Sequence, residues 1–195
     1  MSHEYLSETP LLDLSAKPIT CLVAEKGWRN LSRTAQIGAV YDFVRNEIFF
    51  GYNRANDIPA SEVLLDGYGQ CITKGTLLMA LLRAVEVPCS LHGFAIHKGL
   101  QRGVVPELVY PIAPDEILHS WIEVELDGTW INLEGFRLDQ GFLNALQSAF
   151  PGIESLCGYG AGTDCLSAPP VATWIFEKEP KPNCETCSSR GVANQ

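Results

Sequence analysis

Two alternating runs, His119-Ser-Trp-Ile-Glu-Val-Glu-Leu126 and Thr129-Trp-Ile-Asn-Leu-Glu134-Gly135, are separated by nothing but Asp127-Gly128. Asp-Gly accepts the left-handed backbone of a two-residue turn, so this stretch predicts a tight antiparallel hairpin. Once the turn is set, the register is set, and side chains alternate between two faces. Leu126 then opposes Thr129, and Trp121 opposes Glu134. Ile122, Val124, Leu126, Ile131 and Leu133 fall on one face. His119, Trp121, Glu123, Trp130, Asn132 and Glu134 fall on the other. His119 and Glu134 become diagonal neighbours, roughly 7–8 Å apart at the backbone, which long side chains can span. A histidine beside a carboxylate is the base and orienter of a nucleophilic triad.

The nucleophile for such a triad stands upstream. Gly67-Tyr-Gly-Gln-Cys71 is a glycine-punctuated turn that feeds into Ile72-Thr-Lys-Gly-Thr-Leu-Leu-Met-Ala-Leu-Leu-Arg-Ala-Val85, a strongly helical run. A cysteine in the first turn of a helix meets the positive end of the macrodipole, which favours its thiolate and predicts a lowered pKa. The first backbone N–H groups of a helix have no intrahelical partner and are free to hold a developing oxyanion. Gln70, Tyr52, Asn53 and Trp121 are candidates to bind substrate or to give a second oxyanion donor. The plain alternative for Cys71 is a buried structural thiol.

The segment from Ala60 to Cys71, the leucine-rich helix after it and Val87-Pro88-Cys89 resemble the nucleophile segment of the transglutaminase-like superfamily. His119-Ser-Trp-Ile-Glu-Val, followed by Asp-Gly-Thr-Trp-Ile-Asn-Leu-Glu134, is similar to that family's histidine and acid strands. The likeness runs from about Thr34 to Arg137. It implies an α+β, papain-like fold in which the nucleophile helix packs on an antiparallel sheet. It also implies catalysis by Cys71 as nucleophile, His119 as base and Glu134 as orienting acid. The family usually has Asp, often followed by Pro, where this chain has Glu134-Gly135, and Asp139 is the other acid for that role. The activity implied is acyl transfer through a thioester. Hydrolysis of a peptide or other amide, amide formation from an amine acceptor or a carrier-bound acyl group, and a non-catalytic binding protein with the same fold all remain open. The substrate expected is a peptide, an amide or an acyl thioester, and this chemistry requires neither a metal nor an organic cofactor.

With 195 residues the chain suits one domain with extensions. Its net charge of −9 argues against nucleic acid or an anionic membrane as the main partner. No apolar stretch is long enough to span a bilayer. The start, Met1-Ser-His-Glu-Tyr-Leu-Ser-Glu, lacks a basic region and an apolar core, so the expectation is a cytoplasmic protein with reduced thiols.

Three parts are expected: an arm over 1–30, a catalytic core over 31–150 and an extension over 151–195 whose tail after Pro180 is flexible. Leu12, Ile19 and Val23 are among the arm's anchors. Ser32 marks the cap of a helix through Glu47, with Ile37, Val40, Tyr41, Val44 and Ile48 on its apolar face. Ser61 is expected to cap a short helix before Gly67. The Cys71 helix should end near Val87-Pro88, because proline disfavours helix before it. A strand over 90–96, a loop over 106–114 and a helix over 139–149 complete the core.

Other chemistry weighs less. Cys157, Cys165, Cys184 and Cys187 are spaced poorly for zinc, and no bound zinc is expected. Gly158-Tyr-Gly-Ala-Gly162 lacks the Lys and Ser/Thr of a phosphate loop and reads as a turn. Cys21 and Cys89 read as core fillers, and Trp28 and Trp174 as core anchors. His92 and His97 read as structural or rim residues for want of a matched carboxylate.

Overall fold

A computed structural model describes residues 3–98, 110–133 and 135–149. The described elements run α1 (Lys17–Lys26), α2 (Arg33–Glu47), β1 (Phe49–Phe50), α3 (Ala60–Asp66), β2 (Tyr68–Gly69), α4 (Cys71–Ala84), β3 (Cys89–His97), β4 (Glu116–Leu126), β5 (Thr129–Leu133) and α5 (Gln140–Ala149). The architecture is α+β. Helix α4 lies between a helical layer of α1, α2 and α3 and an antiparallel sheet ordered β3-β4-β5.

Sequence explains the central place of α4. Ile72 and Arg83 apart, every residue of this helix is buried. A helix apolar on nearly all sides must be covered on all sides. Leu77, Leu78, Ala80, Leu81 and Leu82 have no exposed surface and face both layers. Helix α2 presents Ile37, Val40, Tyr41 and Val44, all fully buried, at the spacing read from the sequence. The segment expected as an arm folds as α1, whose Ile19 and Val23 belong to the same core.

The hairpin forms in the expected register. Leu126 pairs with Thr129, Val124 with Ile131 and Ile122 with Leu133. Asp127 and Gly128 both have positive φ, 53° and 80°, as the two-residue turn requires. Ile122 and Val124 are buried beneath α4, and Leu133, paired with Ile122, is buried on the same face. By strand alternation Trp121, Glu123 and Asn132 lie on the opposite face of the sheet.

Several local expectations change. Helix α4 ends at Ala84, before the proline can act. Its closure runs through Glu86 at φ 65°, with the Val87 N–H returning to the Leu82 carbonyl at 2.9 Å. Ser61 lies inside α3, after Pro59 at the cap position. The cap comes from far away: Asp13 Oδ1 accepts the Ser61 N–H at 3.0 Å, and the Ala60 N–H reaches the Leu11 carbonyl at 2.9 Å. Phe49-Phe50 pairs in parallel with Tyr68-Gly69, a two-stranded ladder with no period for the sequence to show. Cys21 is exposed on α1 and is no core filler, whereas Cys89 is fully buried. Among the described residues no helix is long and apolar enough to cross a membrane. The four C-terminal cysteines, the Gly158–Gly162 turn, Trp174 and the rest of 150–195 lie outside the described residues.

Candidate active site

Cys71 is the first residue of α4, and it is placed by a turn with little freedom. Gly67 closes α3 in the left-handed region at φ 71°. Gly69 then passes so close to α4 that an added Cβ would sit 2.7 Å from Thr73 Oγ1 and 3.0 Å from Lys74 Cγ. Only glycine fits that approach. The Thr73 hydroxyl accepts the Gln70 N–H at 3.0 Å and donates to Asn53 Oδ1 at 2.7 Å. Asn53 Nδ2 donates in turn to Asp66 Oδ2 at 2.8 Å and to the Tyr68 carbonyl at 3.1 Å. The side-chain amide of Gln70 bonds Asn56 Oδ1. A chain of amides thus fastens the loop after β1 to the turn before Cys71.

These bonds describe the surroundings of the expected helpers. Both amide hydrogens of Asn53 are used inside the loop, so Asn53 shapes the site without an N–H to spare. Gln70 is held by Asn56. Tyr52 is 66 % exposed and stacks edge-to-face on Phe50, with centroids 5.7 Å apart. Trp121 is on the sheet face turned away from α4, where its Nε1–H donates to Asn132 Oδ1 at 3.0 Å. Its ring stacks on His92 at 5.0 Å. His92 also meets Glu123, with Nε2 2.7 Å from Oε2, so this histidine does have a matched carboxylate, one the sequence reading missed. The pair is diagonal on the outer face, since His92 itself opposes Trp121.

Around the sulfur the described residues give a definite environment. Cys71 is 8 % exposed. Burial pushes its thiol pKa up, contrary to the expected fall, because losing water penalises the thiolate first. The Arg137 charge is the largest opposing influence, followed by the backbone N–H groups of Ile72 and Cys71 and by the Ser120 hydroxyl. The helix terminus acts in the expected direction but does not outweigh burial. Ser120 is 4 % exposed, and its hydroxyl oxygen completes no full hydrogen bond.

Arg137 and Ser120 were not singled out in the sequence. Arg137 is 6 % exposed, and its guanidinium carbon lies 5.9 Å from the centre of the Phe50 ring. Its segment is tied to the first turns of α4: the Phe136 ring packs at Gly75, and the Arg137 carbonyl accepts from Lys74 Nζ at 3.3 Å. Lys74 has no exposed surface. Its remaining bonds go to the carbonyls of Arg45 at 3.3 Å and Ile48 at 2.7 Å, so it caps the C-terminal end of α2. Three donors meet three acceptors, which is what a buried ammonium needs. Burial lowers the Lys74 pKa to about 7, with the Asp139 charge acting against the fall and Arg137 and Arg45 adding to it. Asp139, the alternative acid, stands just before α5 with its charge bearing on Lys74.

His119 pairs through its backbone with Phe94, one residue before Ser120 on β4. The His119 and His97 side chains and the whole of Glu134 lie outside the described residues. Among the described residues no group of His, Cys, Asp and Glu could hold a metal ion.

Comparison with known proteins agrees with this architecture. Residues 24–135, more than half of the chain, match the family model described as the transglutaminase-like superfamily. The fold is similar to the crystal structure of a proposed cysteine protease from Cytophaga hutchinsonii, at 19 % identity and a TM-score of 0.51. That match covers 72 % of this chain and 43 % of the other, so this chain spans less than half of its length. Likeness at that identity carries the fold alone. No curated protein matches the sequence.

Proposed function

As the chain belongs to the transglutaminase-like superfamily, we propose that it is a cysteine-dependent acyl-transfer enzyme that cleaves a peptide or other amide bond through a thioester on Cys71. The observation that carries this reading is the setting of Cys71: first residue of α4, under the Ile72 and Cys71 N–H groups, with the Arg137 charge favouring the thiolate.

The mechanism requires the His119 ring to reach round the start of β4 to Cys71, since strict alternation would set it on the face of Trp121. That ring takes the Cys71 proton, and the thiolate attacks the substrate carbonyl carbon. The carbonyl π pair moves onto oxygen, where the Cys71 N–H holds it. The C–N bond then breaks, and the leaving amine takes the proton from His119. Glu134 orients the imidazole and stabilises its charged form. Water, deprotonated by His119, attacks the thioester and returns the thiolate. An amine in place of water would give a new amide. Burial of Cys71 supports a substrate that closes the site and completes desolvation of the reacting groups.

Intact protein mixed with p-nitrophenyl acetate, then digested and mapped by mass spectrometry, tests this. The acetyl group is expected on Cys71, decaying in water and moving to methylamine when that amine is added. Glu134→Gln should slow decay strongly, and His119→Ala more so, each with unchanged thermal unfolding. Acetylation confined to other residues while Cys71 stays free would sink the thioester mechanism. A crippling Asp139→Asn beside a silent Glu134→Gln would move the acid to Asp139. Full activity in His119→Ala would remove His119 as the base.

A further inference from the structure

We propose that the Ser120 hydroxyl is an oxyanion donor of the acyl-transfer site, acting with the Cys71 N–H on the substrate carbonyl oxygen. The inference rests on the thioester reading of Cys71 and adds to it a second donor outside the four candidates read from the sequence.

Three observations lead to it. First, Ser120 belongs to the inner face of β4. Ile122 and Val124, two and four residues on, are fully buried or 1 % exposed beneath α4, and Ser120 continues that face to the N-terminal end of the helix. Second, the hydroxyl is buried at a residue only 4 % exposed, and beyond its influence on the neighbouring Cys71 sulfur it completes no hydrogen bond. A buried hydroxyl whose acceptor is a weakly accepting sulfur gains from a ligand oxygen that accepts its proton more strongly. Third, the residue facing Ser120 across the ladder is Gly93, which is exposed. A position without a side chain sets no Cβ opposite the serine across the ladder.

The hydroxyl also has a slight effect on the thiol, favouring the thiolate less than the Arg137 charge and the two backbone N–H groups do. When the thiolate forms its bond to the carbonyl carbon, the π electron pair passes to oxygen. That oxygen accepts hydrogen bonds from the Cys71 N–H and from Ser120 Oγ–H, and no proton leaves the serine. Gly69, Thr73 and Asn53 fix the Cys71 N–H through the turn before α4, and strand β4 fixes the serine.

The test compares two reactions of the same sulfur. Alkylation by iodoacetamide displaces iodide and develops no oxyanion, whereas acylation by p-nitrophenyl acetate does. In Ser120→Ala, alkylation of Cys71 should stay within about threefold of wild type while acylation falls about a hundredfold. Ser120→Thr, which keeps a hydroxyl, should recover most of the acylation rate. Thermal unfolding of Ser120→Ala should be unchanged or slightly raised, since an orphan is removed. Equal slowing of both reactions would make Ser120 a thiol-tuning group and overturn the proposal. So would unchanged acylation, or a Ser120→Ala chain that fails to fold, because the hydroxyl would then serve the structure. Alkylation of wild-type Cys71 without any acylation would remove the thioester reading itself, and this inference with it.

Discussion

The two ends of α4 each set a buried cysteine near an arginine, and at only one of them do backbone N–H groups favour the thiolate. At the C-terminal end, Cys89 has no exposed surface, and its Sγ lies 3.7 Å from the Met79 carbonyl oxygen. Arg83 is beside it, but its guanidinium is spent on main-chain carbonyls, Ser7 at 2.6 Å and Cys89 at 2.9 Å. Burial pushes the Cys89 thiol up to about 11 despite that arginine. At the N-terminal end, Cys71 is also raised by burial, but backbone N–H groups point to the sulfur and Arg137 favours its charge. A neighbouring cation is common to both ends. The difference is helix polarity: the first turn offers unpaired donors to an anion, and the last turn offers carbonyls that repel one.

The most severe way to break the comparison is to remove each sulfur. Cys71→Ala should lower acyl turnover by at least about a thousandfold, measured with p-nitrophenyl acetate, because the proposed thioester forms on that sulfur. Cys89→Ala should leave turnover near wild type. If the two variants behave alike, the N-terminal end has no special chemistry.

The next effect concerns stability. Lys74→Met leaves the Arg45, Ile48 and Arg137 carbonyls without their donor, and urea unfolding should show a loss of about 3 kcal/mol. Lys74 should also leave a mark on pH dependence. Its folded pKa of about 7 lies below the 10.5 of the free side chain. Between those values the unfolded chain binds the proton and the folded chain does not, so the Lys74 contribution to stability grows as pH rises through that window. In Lys74→Met that rise should disappear from the stability–pH curve, and a curve of unchanged slope would show that Lys74 stays charged throughout.

A smaller effect sharpens the roles of the two arginines. Arg137→Met should slow iodoacetamide labelling of Cys71 at neutral pH severalfold, because the charge that favours the thiolate is lost. Arg83→Met should not alter that rate, although it removes a staple between Ser7 and Cys89 and lowers the thermal midpoint. Equal labelling in all three proteins would leave the helix terminus alone to activate the sulfur.

The smallest expected change is at the closure of α4. Glu86 holds φ 65°, a left-handed conformation that costs an ordinary residue about 1 kcal/mol. Glu86→Gly should recover roughly that amount in urea unfolding and leave Cys71 labelling untouched. A loss of stability would show that the Glu86 side chain has a role at this end of the helix.

What the sequence determined by itself was whatever repeats at short range. The Asp127-Gly128 turn set the hairpin register, because a two-residue turn and a period of two leave no freedom. The apolar face of α2 and the burial of α4 followed from spacing and composition. The Gly67–Cys71 turn put the cysteine at the helix start, because glycine there permits a sharp entry. Only the tertiary structure decided the surroundings of the sulfur. Lys74 and the Arg137 carbonyl it binds are 63 residues apart, and the Arg45 carbonyl is 29 residues the other way. No local period couples such residues. The same holds for Asp13 capping α3 from 48 residues away and for His92 meeting Glu123 across 31. The direction of the Cys71 pKa was decided at that level too: the dipole of a helix is written in its sequence, but the water lost around its first residue depends on what the rest of the chain packs against it.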